Sequence, residues 1–232
     1  MKTLGIIGGL GPESTLDYYR RLVAAYRERT GDGTYPRVII NCVDLSIVVG
    51  HMNARRHAEL AVFLVDEIKK LAAAGVEVAL ISANTPHIVF DQVRAQSPLP
   101  LISIVEATCR AARARKLARL ALFGTRFTMS GQFYPAVFED SGVALVVPTP
   151  DEQTTIHDIY MNELVLGVVR REAHATLLLM VERMKTRHDI DGLILGGTEL
   201  SLILKEEQHA GVAFLDTASI HIEEAVERML SG

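Results

Sequence analysis

The sequence predicts an α/β fold made of two similar three-layer halves, each with a mainly parallel sheet. Short strands that are apolar at every position alternate with amphipathic helices, which is typical of parallel strands covered on both faces. The same order of strand, turn and helix occurs twice along the 232 residues. Such a repeat indicates an internal duplication, with a ligand cleft between the halves at the carboxyl ends of the strands.

The first half contains four strands, predicted from apolar runs at residues 4–7, 38–42, 78–81 and 101–104. Amphipathic spacing predicts three helices in this half. The first starts near Ser14, the second covers residues 58–74 and is ended by Gly75, and the third covers residues 105–115. A further helix follows Thr85. The polar stretch 44–56 is predicted to be a loop.

The second half repeats this arrangement with strands at residues 120–123, 144–147, 192–195 and 213–215. Its helices are predicted at residues 130–140, at residues 163–185, after Glu199 and at residues 220–230. The segment TIHDIY, which contains His157 and Asp158, is interpreted as a surface loop or as a contact to a ligand.

Three pairs of segments match in order between the halves. LGIIGG corresponds to LALFGT, VALISANTPH to GLILGGTELS, and LPLISI to VAFLDT. The last helix is expected to cover the sheet of the first half. These matches predict an N-terminal domain of residues 1–98 plus 212–232 and a C-terminal domain of residues 99–211.

The composition is that of an ordinary soluble globular protein, and the cysteine usage makes the cytoplasm the expected compartment. The net charge of −4 gives no electrostatic footprint for nucleic acid, and no apolar segment is long enough to cross a membrane. The two cysteines, Cys42 and Cys109, form no disulfide framework, and both are expected to be small buried side chains. No histidine has a partner at metal-ligand spacing, so we expect no metal.

Three turns follow strands and open helices. These turns contain Gly9 and Gly11, the run from Ser82 to Thr85, and the run from Gly196 to Glu199. Thr85 is the expected N-cap of its helix, with Pro86 at the first helical position. Because a helix N-terminus presents free N–H groups and a partial positive charge, each turn suits a carboxylate or phosphate.

The first of these turns is only a partial match to a dinucleotide-binding fingerprint. Ser14 stands where the third glycine of that motif belongs, and no acidic residue ends the second strand at the spacing that a ribose contact requires. The glycine loop is therefore interpreted as a tight turn or an anion pocket.

The blocks IIGGLGPEST, SANTPH and LGGTEL together resemble the signature blocks of the aspartate/glutamate racemase superfamily. The resemblance covers essentially the whole chain. It implies two facing halves, a small amino acid or carboxylate bound between them, no cofactor, and a homodimer. It also implies that two cysteines, one in each half, remove and return the α-proton.

This chain departs from the superfamily pattern at both cysteine positions, where Ala83 and Gly197 stand. Neither residue can carry a proton. The cationic anchors that the resemblance implies for a second substrate carboxylate are also absent, since the second strand is followed by DLSIVVG, and Leu164 and Val165 stand where some relatives have lysine. Aspartate or glutamate is therefore not assumed as the substrate.

The frame that holds a carboxylate matches the superfamily. The expected substrate-binding residues are Gly9, Gly11, Asn84, Thr85, Thr125 and Thr198. The alternative is that the threonines cap helices and that Asn84 satisfies a turn. The same chemistry in both halves favours binding.

Other residues could supply a base in place of the thiols. The candidate catalytic residues are His87, Glu199, Thr85 and Thr198. Burial and the helix N-terminus favour a neutral His87, which suits a base, and the helix dipole favours an ionised Glu199. Asp216 and Thr217, at the end of the last strand, are further candidates facing the cleft, and both His87 and Glu199 could instead be structural.

Together these observations predict a cofactor-independent, racemase-like isomerase that transfers the α-proton of a small amino acid or carboxylate through residues other than cysteine. Two alternatives remain open: a catalytically inactive protein that binds a small carboxylate, and a related isomerase or lyase of the same superfamily.

Overall fold

The computed structural model describes residues 1–231, in which strands and helices alternate. The elements up to residue 114 are β1 (Leu4–Gly8), α1 (Pro12–Thr30), β2 (Val38–Cys42), α2 (Leu45–Asn53), α3 (His57–Ala73), β3 (Val78–Ile81), a 3-10 helix (Thr85–Val89), α4 (Phe90–Gln96), β4 (Leu101–Ile102) and α5 (Ile104–Ala114).

The remaining elements are β5 (Arg119–Gly124), α6 (Arg126–Ser130), α7 (Phe133–Phe138), a 3-10 helix (Glu139–Ser141), β6 (Ala144–Val146), α8 (Pro150–Asn162), a 3-10 helix (Leu164–Leu166), α9 (Arg171–His188), β7 (Gly192–Gly196), α10 (Leu200–Ile203), β8 (Gln208–His209), β9 (Val212–Asp216) and α11 (Thr217–Leu230).

The chain forms two compact units. The first is Met1–Ile104 together with the residues from His221 onward, and the second is Val105–Ile220. Both divisions lie later than the predicted boundaries at 98/99 and 211/212. The strand ladders account for the difference, because β4 pairs with β3 in the first sheet and β9 pairs with β7 in the second.

The first unit is built on a four-stranded parallel sheet in the order β2-β1-β3-β4. The apolar runs of β1 and β3 are buried along their whole length, as expected for strands covered on both faces. Ile7 lies opposite Ile81 in the ladder. The turns that follow these two strands therefore lie at the same edge of the sheet.

The second unit contains a five-stranded sheet in the order β6-β5-β7-β9-β8, in which β8 alone of the described strands is antiparallel. Gly124 lies opposite Gly196, so the turns after β5 and β7 are also neighbours. Apolar side chains of β5, α8, α9 and β7 form one core, with fully buried members that include Phe123, Ile156, Leu177, Val181 and Leu193.

The predicted α/β fold with mainly parallel sheets is confirmed. The order β2-β1-β3-β4 in the first sheet corresponds to β6-β5-β7-β9 in the second, which agrees with the matched sequence segments. The similar strand order supports an internal duplication.

The turn after β3 differs from the prediction that Thr85 caps an α-helix. Asn84 already has helical angles, with φ −77° and ψ −50°, so Thr85 is the first residue of a 3-10 helix. The α-helix α4 begins only at Phe90.

Three further segments differ from the prediction. Residues 44–56 contain α2, because the Asp44 carboxylate accepts a hydrogen bond from the Ser46 N–H at 2.8 Å and caps that helix. The region of TIHDIY belongs to α8, which opens with a capping box between Thr149 and Glu152. The helices predicted at 130–140 and 163–185 are each divided into shorter helices.

Within residues 1–231, no helix combines the length and the apolar composition that crossing a membrane requires.

Candidate active site

The loop after β1 is held in one conformation by Thr15. The Gly9 N–H donates a hydrogen bond to Thr15 Oγ1 at 2.9 Å, and the Thr15 hydroxyl donates to the Gly11 carbonyl at 3.1 Å. Gly9 has a φ of +79°, and a Cβ there would lie 2.8 Å from the Val43 nitrogen and closer still to its carbonyl oxygen. Glycine is therefore required at position 9.

This loop leads into α1, whose N-terminus has no side-chain cap among the described residues. Ser14 lies in the first turn of α1 and is only 2% exposed. Its hydroxyl has no hydrogen-bond partner within residues 1–231. A buried hydroxyl beside uncapped helical N–H groups can accept or donate one more hydrogen bond, so Ser14 joins Gly9 and Gly11 as a candidate contact to an anion.

The block after β3 is buried and anchored to the main chain. The Ser82 hydroxyl donates to the Ile7 carbonyl at 2.9 Å, which ties the turn to β1. Ala83, Asn84 and His87 are 7%, 2% and 3% exposed. Thr85 begins the 3-10 helix and lies between the buried Asn84 and Pro86.

Both ring nitrogens of His87 form hydrogen bonds to the main chain. Nδ1–H donates to the Ala83 carbonyl at 2.9 Å, and Nε2 accepts from the Ile104 N–H at 3.2 Å. The ring also stacks on Phe90, with centroids 4.6 Å apart. Burial, and next the neighbouring His221, lower the pKa of His87 to about 3. The imidazole is neutral and has no nitrogen free for a substrate proton.

The turn after β5 contains Thr125, which is 7% exposed. Its hydroxyl accepts from the Thr128 N–H at 3.2 Å and caps α6, and it lies 3.2 Å from the Thr128 hydroxyl. The structural role considered for the threonines is therefore present at Thr125. A contact between Thr125 and a substrate remains a prediction.

The turn after β7 is covered by an aromatic ring from α8. A Cβ built on Gly197 would lie 2.9 Å from Tyr160 Cζ, 3.0 Å from its hydroxyl oxygen, and closer still to Cε2. Tyr160 is only 6% exposed. Its ring therefore fills the space that a side chain at position 197 would occupy.

The phenol of Tyr160 also forms a hydrogen bond with the acid of the same turn. Tyr160 donates to Glu199 Oε2, and the Thr198 hydroxyl donates to the same oxygen at 3.0 Å. The other oxygen, Glu199 Oε1, is buried and has no hydrogen-bond partner in the described part of the chain. Three polar side chains thus meet at the end of β7, and of the two Glu199 carboxyl oxygens Oε1 is the one that residues 1–231 leave without a partner.

Burial raises the pKa of Glu199 above its ordinary value, although the hydrogen bonds from Tyr160 and Thr198 oppose the rise. Burial, followed by the Glu199 charge, likewise raises the pKa of the Tyr160 phenol. The direction of the Glu199 pKa shift is opposite to the one expected from the helix N-terminus, because the carboxyl is fully buried and the helix after it has only four residues.

A family model described as Asp/Glu/hydantoin racemase matches residues 7–225. The chain belongs to the Asp/Glu/hydantoin racemase family.

Individual relatives agree with this assignment. PH1733, an aspartate racemase homologue from Pyrococcus horikoshii, is 33% identical over 99% of both chains, with a TM-score of 0.85. A candidate Asp/Glu racemase from Yersinia pestis is 28% identical over 100% of both chains, with a TM-score of 0.89. The broad specificity amino-acid racemase RacX of Bacillus subtilis is 21% identical over 98% of both chains. Family membership supports a racemase-like isomerase.

The two cysteines of this racemase-family member lie outside the three blocks. Cys42 is exposed at the end of β2, so the prediction that it is buried is wrong. The reason is that β2 is an edge strand of its sheet and is only partly covered. Cys109 is buried in α5 as predicted, with Sγ 3.8 Å from the Val137 carbonyl.

The remaining candidates have structural partners. His157 lies on α8, where its Nδ1 accepts from the Arg126 N–H at 3.2 Å, and burial, with Arg126 next, lowers its pKa. Asp216 accepts from the Ala218 N–H at 3.0 Å, and the Thr217 hydroxyl donates to the Leu195 carbonyl at 2.7 Å. Within residues 1–231, no group of three acidic, histidine or cysteine side chains is placed to hold a metal.

Tyr160 was missed by the sequence analysis. Its role depends on Gly197, and nothing in the sequence around either residue pairs the two. The available signal was the capping pattern from Thr149 to Glu152, which would have placed TIHDIY on a helix and Tyr160 on its apolar face.

Proposed function

We propose that the protein is a cofactor-independent, racemase-like isomerase that moves the α-proton of a small amino acid or carboxylate, with Glu199 as its proton carrier. The observation that carries the proposal is Oε1 of a fully buried carboxyl group, which has no hydrogen-bond partner among residues 1–231 and lies two residues after the position where the resemblance implies a cysteine. The space that a side chain at position 197 would take is filled by the ring of Tyr160, whose hydroxyl donates to the other oxygen, Oε2.

Glu199 suits proton transfer from carbon. An α-proton is weakly acidic, and a base works best when its pKa lies near the working pH. Burial moves the pKa of Glu199 upward from the range of an ordinary carboxylate. Oε1 of the ionised carboxylate takes the α-proton while the C–H electron pair remains on the substrate as an enolate-like charge. The carboxylic acid then returns a proton to the same carbon, and the carbon is inverted when the planar intermediate has turned its opposite face towards Glu199.

The substrate carboxylate is assigned to the frame of N–H groups and hydroxyls at the strand ends. Its proposed members are Gly9, Gly11, Asn84, Thr85, Thr125 and Thr198, and Ser14 is added because its buried hydroxyl lacks a partner in the described residues. The Gly9 N–H and the Thr198 hydroxyl already donate to Thr15 and Glu199, so donation by these two groups to a carboxylate requires an exchange of partners. Fixed N–H and O–H donors stabilise the charge that develops as the α-proton leaves, and this usually contributes a large share of such catalysis.

The proposal is tested by hydrogen exchange in deuterium oxide. The wild-type protein is incubated with a panel of L- and D-amino acids and small carboxylates. NMR then follows loss of the α-proton signal, and chiral chromatography follows conversion between enantiomers. We expect exchange with at least one compound. Glu199→Gln should slow it by about 10²–10⁴-fold, the usual contribution of a general acid–base group.

The matched control is Glu207→Gln, which makes the same chemical change at an exposed residue. It should exchange at the wild-type rate. A complete panel without exchange by wild-type protein, or Glu199→Gln at the wild-type rate, contradicts the proposal.

The block after β3 favours a second candidate function. Ala83 has no proton-carrying group, and both nitrogens of His87 are occupied. A protein that binds a small carboxylate without turning it over is consistent with these contacts. Isothermal titration calorimetry should then detect binding of a compound from the same panel that shows no exchange, and absence of heat for every compound would exclude this alternative.

The expected partners are proposals as well. We propose a homodimer in the cytoplasm that binds a small molecule rather than nucleic acid or a membrane. The support is the likeness to the racemase family, together with the net charge of −4. Size-exclusion chromatography with light scattering should give twice the mass of the 25.5 kDa chain.

A further inference from the structure

Tyr160 and Gly197 are complementary in shape. A real Cβ atom is essentially never found within 3.0 Å of a ring carbon, and a Cβ at position 197 would lie 2.9 Å from Cζ of Tyr160 and nearer to Cε2. Glycine is therefore the residue that position 197 can carry while the ring is in place. The absence of a side chain at Gly197 and the position of the Tyr160 ring therefore depend on each other.

The ring is held in place by the whole of α8. At its start, the Glu152 carboxylate accepts from the Thr149 N–H at 3.0 Å and from Arg187 at 2.5 Å. Further along, Ile156 belongs to the same buried core as Tyr160. Since the helix is fixed at its N-terminus and along its buried face, the ring has little freedom to leave Gly197.

The phenol determines which oxygen of Glu199 is available. Tyr160 and Thr198 both donate to Oε2, and Oε1 remains without a partner among residues 1–231. Donation to Oε2 fixes the plane and the orientation of the carboxyl group. It also opposes the rise in the pKa of Glu199 that burial causes.

We propose that Tyr160 is a positioning residue for α-proton transfer: it fills the space beside Gly197, holds Glu199 through Oε2 and leaves Oε1 for the substrate. This inference rests on the proposed function of Glu199. It adds that the chemistry of the second block depends on a residue from α8 rather than on a side chain at position 197.

Tyr160→Phe keeps the ring and removes the hydroxyl. If Tyr160 only fills space, Glu199 should titrate as it does in the wild type. If the phenol holds Glu199, the pKa of that carboxyl should rise in the variant. Infrared difference spectroscopy measures this without a substrate, because the protonated carboxyl has its own band and subtraction of Glu199→Gln identifies it.

The kinetic counterpart is the pH profile of α-proton exchange. Because the ionised carboxylate accepts the proton, the acidic limb should move to higher pH in Tyr160→Phe. The maximal exchange rate should fall by at least tenfold, with a smaller change in the substrate concentration that gives half-maximal rate. A pH profile and an infrared titration identical to the wild type would overturn the proposal.

Substitution of Gly197 tests the arrangement from the other side. Gly197→Ala should lower the thermal midpoint and displace the phenol, so that the infrared titration of Glu199 shifts as in Tyr160→Phe. In a Tyr160→Ala background, Gly197→Ala should lower the thermal midpoint far less, because the ring no longer occupies the space beside position 197. The control is Gly50→Ala, where a Cβ would meet no atom within 4 Å. An equal decrease in the thermal midpoint in both backgrounds would contradict the inference that the Tyr160 ring occupies the space beside Gly197.

The experiments distinguish failure of this inference from failure of the proposed function. If wild-type protein exchanges no compound, the infrared titration and the two-residue cycle still decide whether Tyr160 holds Glu199. If wild-type protein exchanges its substrate while Tyr160→Phe keeps the wild-type pH profile, Glu199 retains its role and Tyr160 loses its own.

Discussion

The blocks after β3 and β7 have the same position in their sheets but different chemistry. In the first sheet β3 pairs with β1, and in the second sheet β7 pairs with β5 in the corresponding place. Each block follows one of these strands, β3 or β7, and leads into a short helix. In the first block, both polar atoms of the His87 ring are bonded to the main chain. In the second block, one oxygen of Glu199 has no partner within residues 1–231.

Burial alone therefore does not identify a reactive group. His87 and Glu199 are 3% and 0% exposed, yet their free hydrogen-bonding capacity differs. A satisfied histidine contributes to the stability of the fold. A buried carboxyl group with a free oxygen costs stability, and such groups are common where a protein binds or converts a ligand.

The largest effect that tests this comparison concerns His87. His87→Phe keeps an aromatic ring on Phe90 but removes the hydrogen bonds between the imidazole and the Ala83 carbonyl and Ile104 N–H. Loss of each buried hydrogen bond costs about 1–3 kcal/mol, so the variant should lose about 2–6 kcal/mol at neutral pH. Urea unfolding should show a lower midpoint with an unchanged slope.

The pH dependence sharpens this prediction. The pKa of His87 falls from 6.5 to about 3 on folding, so the unfolded chain binds the proton more tightly. The stability from neutral His87 is complete above pH 6.5 and is lost as the pH falls towards 3. The difference between wild type and His87→Phe should therefore shrink on acidification. A variant as stable as the wild type at pH 7 would show that the two hydrogen bonds contribute nothing.

The contribution of Glu199 to stability should change with pH in the opposite direction to that of His87. The pKa of Glu199 is raised on folding, so the folded state binds the proton more tightly and stability falls as the pH rises through the folded pKa. Glu199→Gln removes this penalty while its amide oxygen can still accept from Tyr160. The variant should be about as stable as the wild type at pH 4 and more stable, by about 1–2 kcal/mol, at neutral and higher pH.

The measurement is urea unfolding of both proteins across that pH range, with Glu207→Gln as the exposed control. A gain in stability together with loss of exchange is the behaviour of a functional residue held at a cost to the fold. Glu199→Gln that is less stable than the wild type at high pH would assign Glu199 to the structure instead.

The sequence was sufficient for the fold because the strands are buried on both faces and are apolar at every position, which leaves few alternatives to a parallel sheet. It was not sufficient for the role of His87. The partner of Nε2 is the Ile104 N–H, which comes close only when β4 pairs with β3. In the same way, the pairing of Tyr160 with Gly197 requires α8 to pack over the end of β7.

The turn at Asn84 illustrates a second limit. Thr85 followed by Pro86 is a common start for an α-helix, yet Asn84 already adopts helical angles and a 3-10 helix results. Such local angles are determined by the surrounding packing, in this case by Ser82 bonded to β1 and His87 bonded back to Ala83. Residue preferences alone do not contain that information.

Substitution of the cysteines should have the smallest effect on exchange. It tests whether a thiol outside the two blocks carries the α-proton. Cys42 is exposed and lies at the carboxyl end of β2, the edge at which the turns of the first sheet lie. If a thiol carried the α-proton in place of the absent block cysteines, Cys42→Ser would abolish exchange. Because Glu199 is assigned that role, Cys42→Ser should exchange at the wild-type rate, and so should wild-type protein after a thiol reagent has modified Cys42.

The buried Cys109 serves as the internal control, since it should react with the reagent only in urea. Loss of exchange in Cys42→Ser, with Glu199→Gln still active, would move the proton carrier from the second sheet to the first.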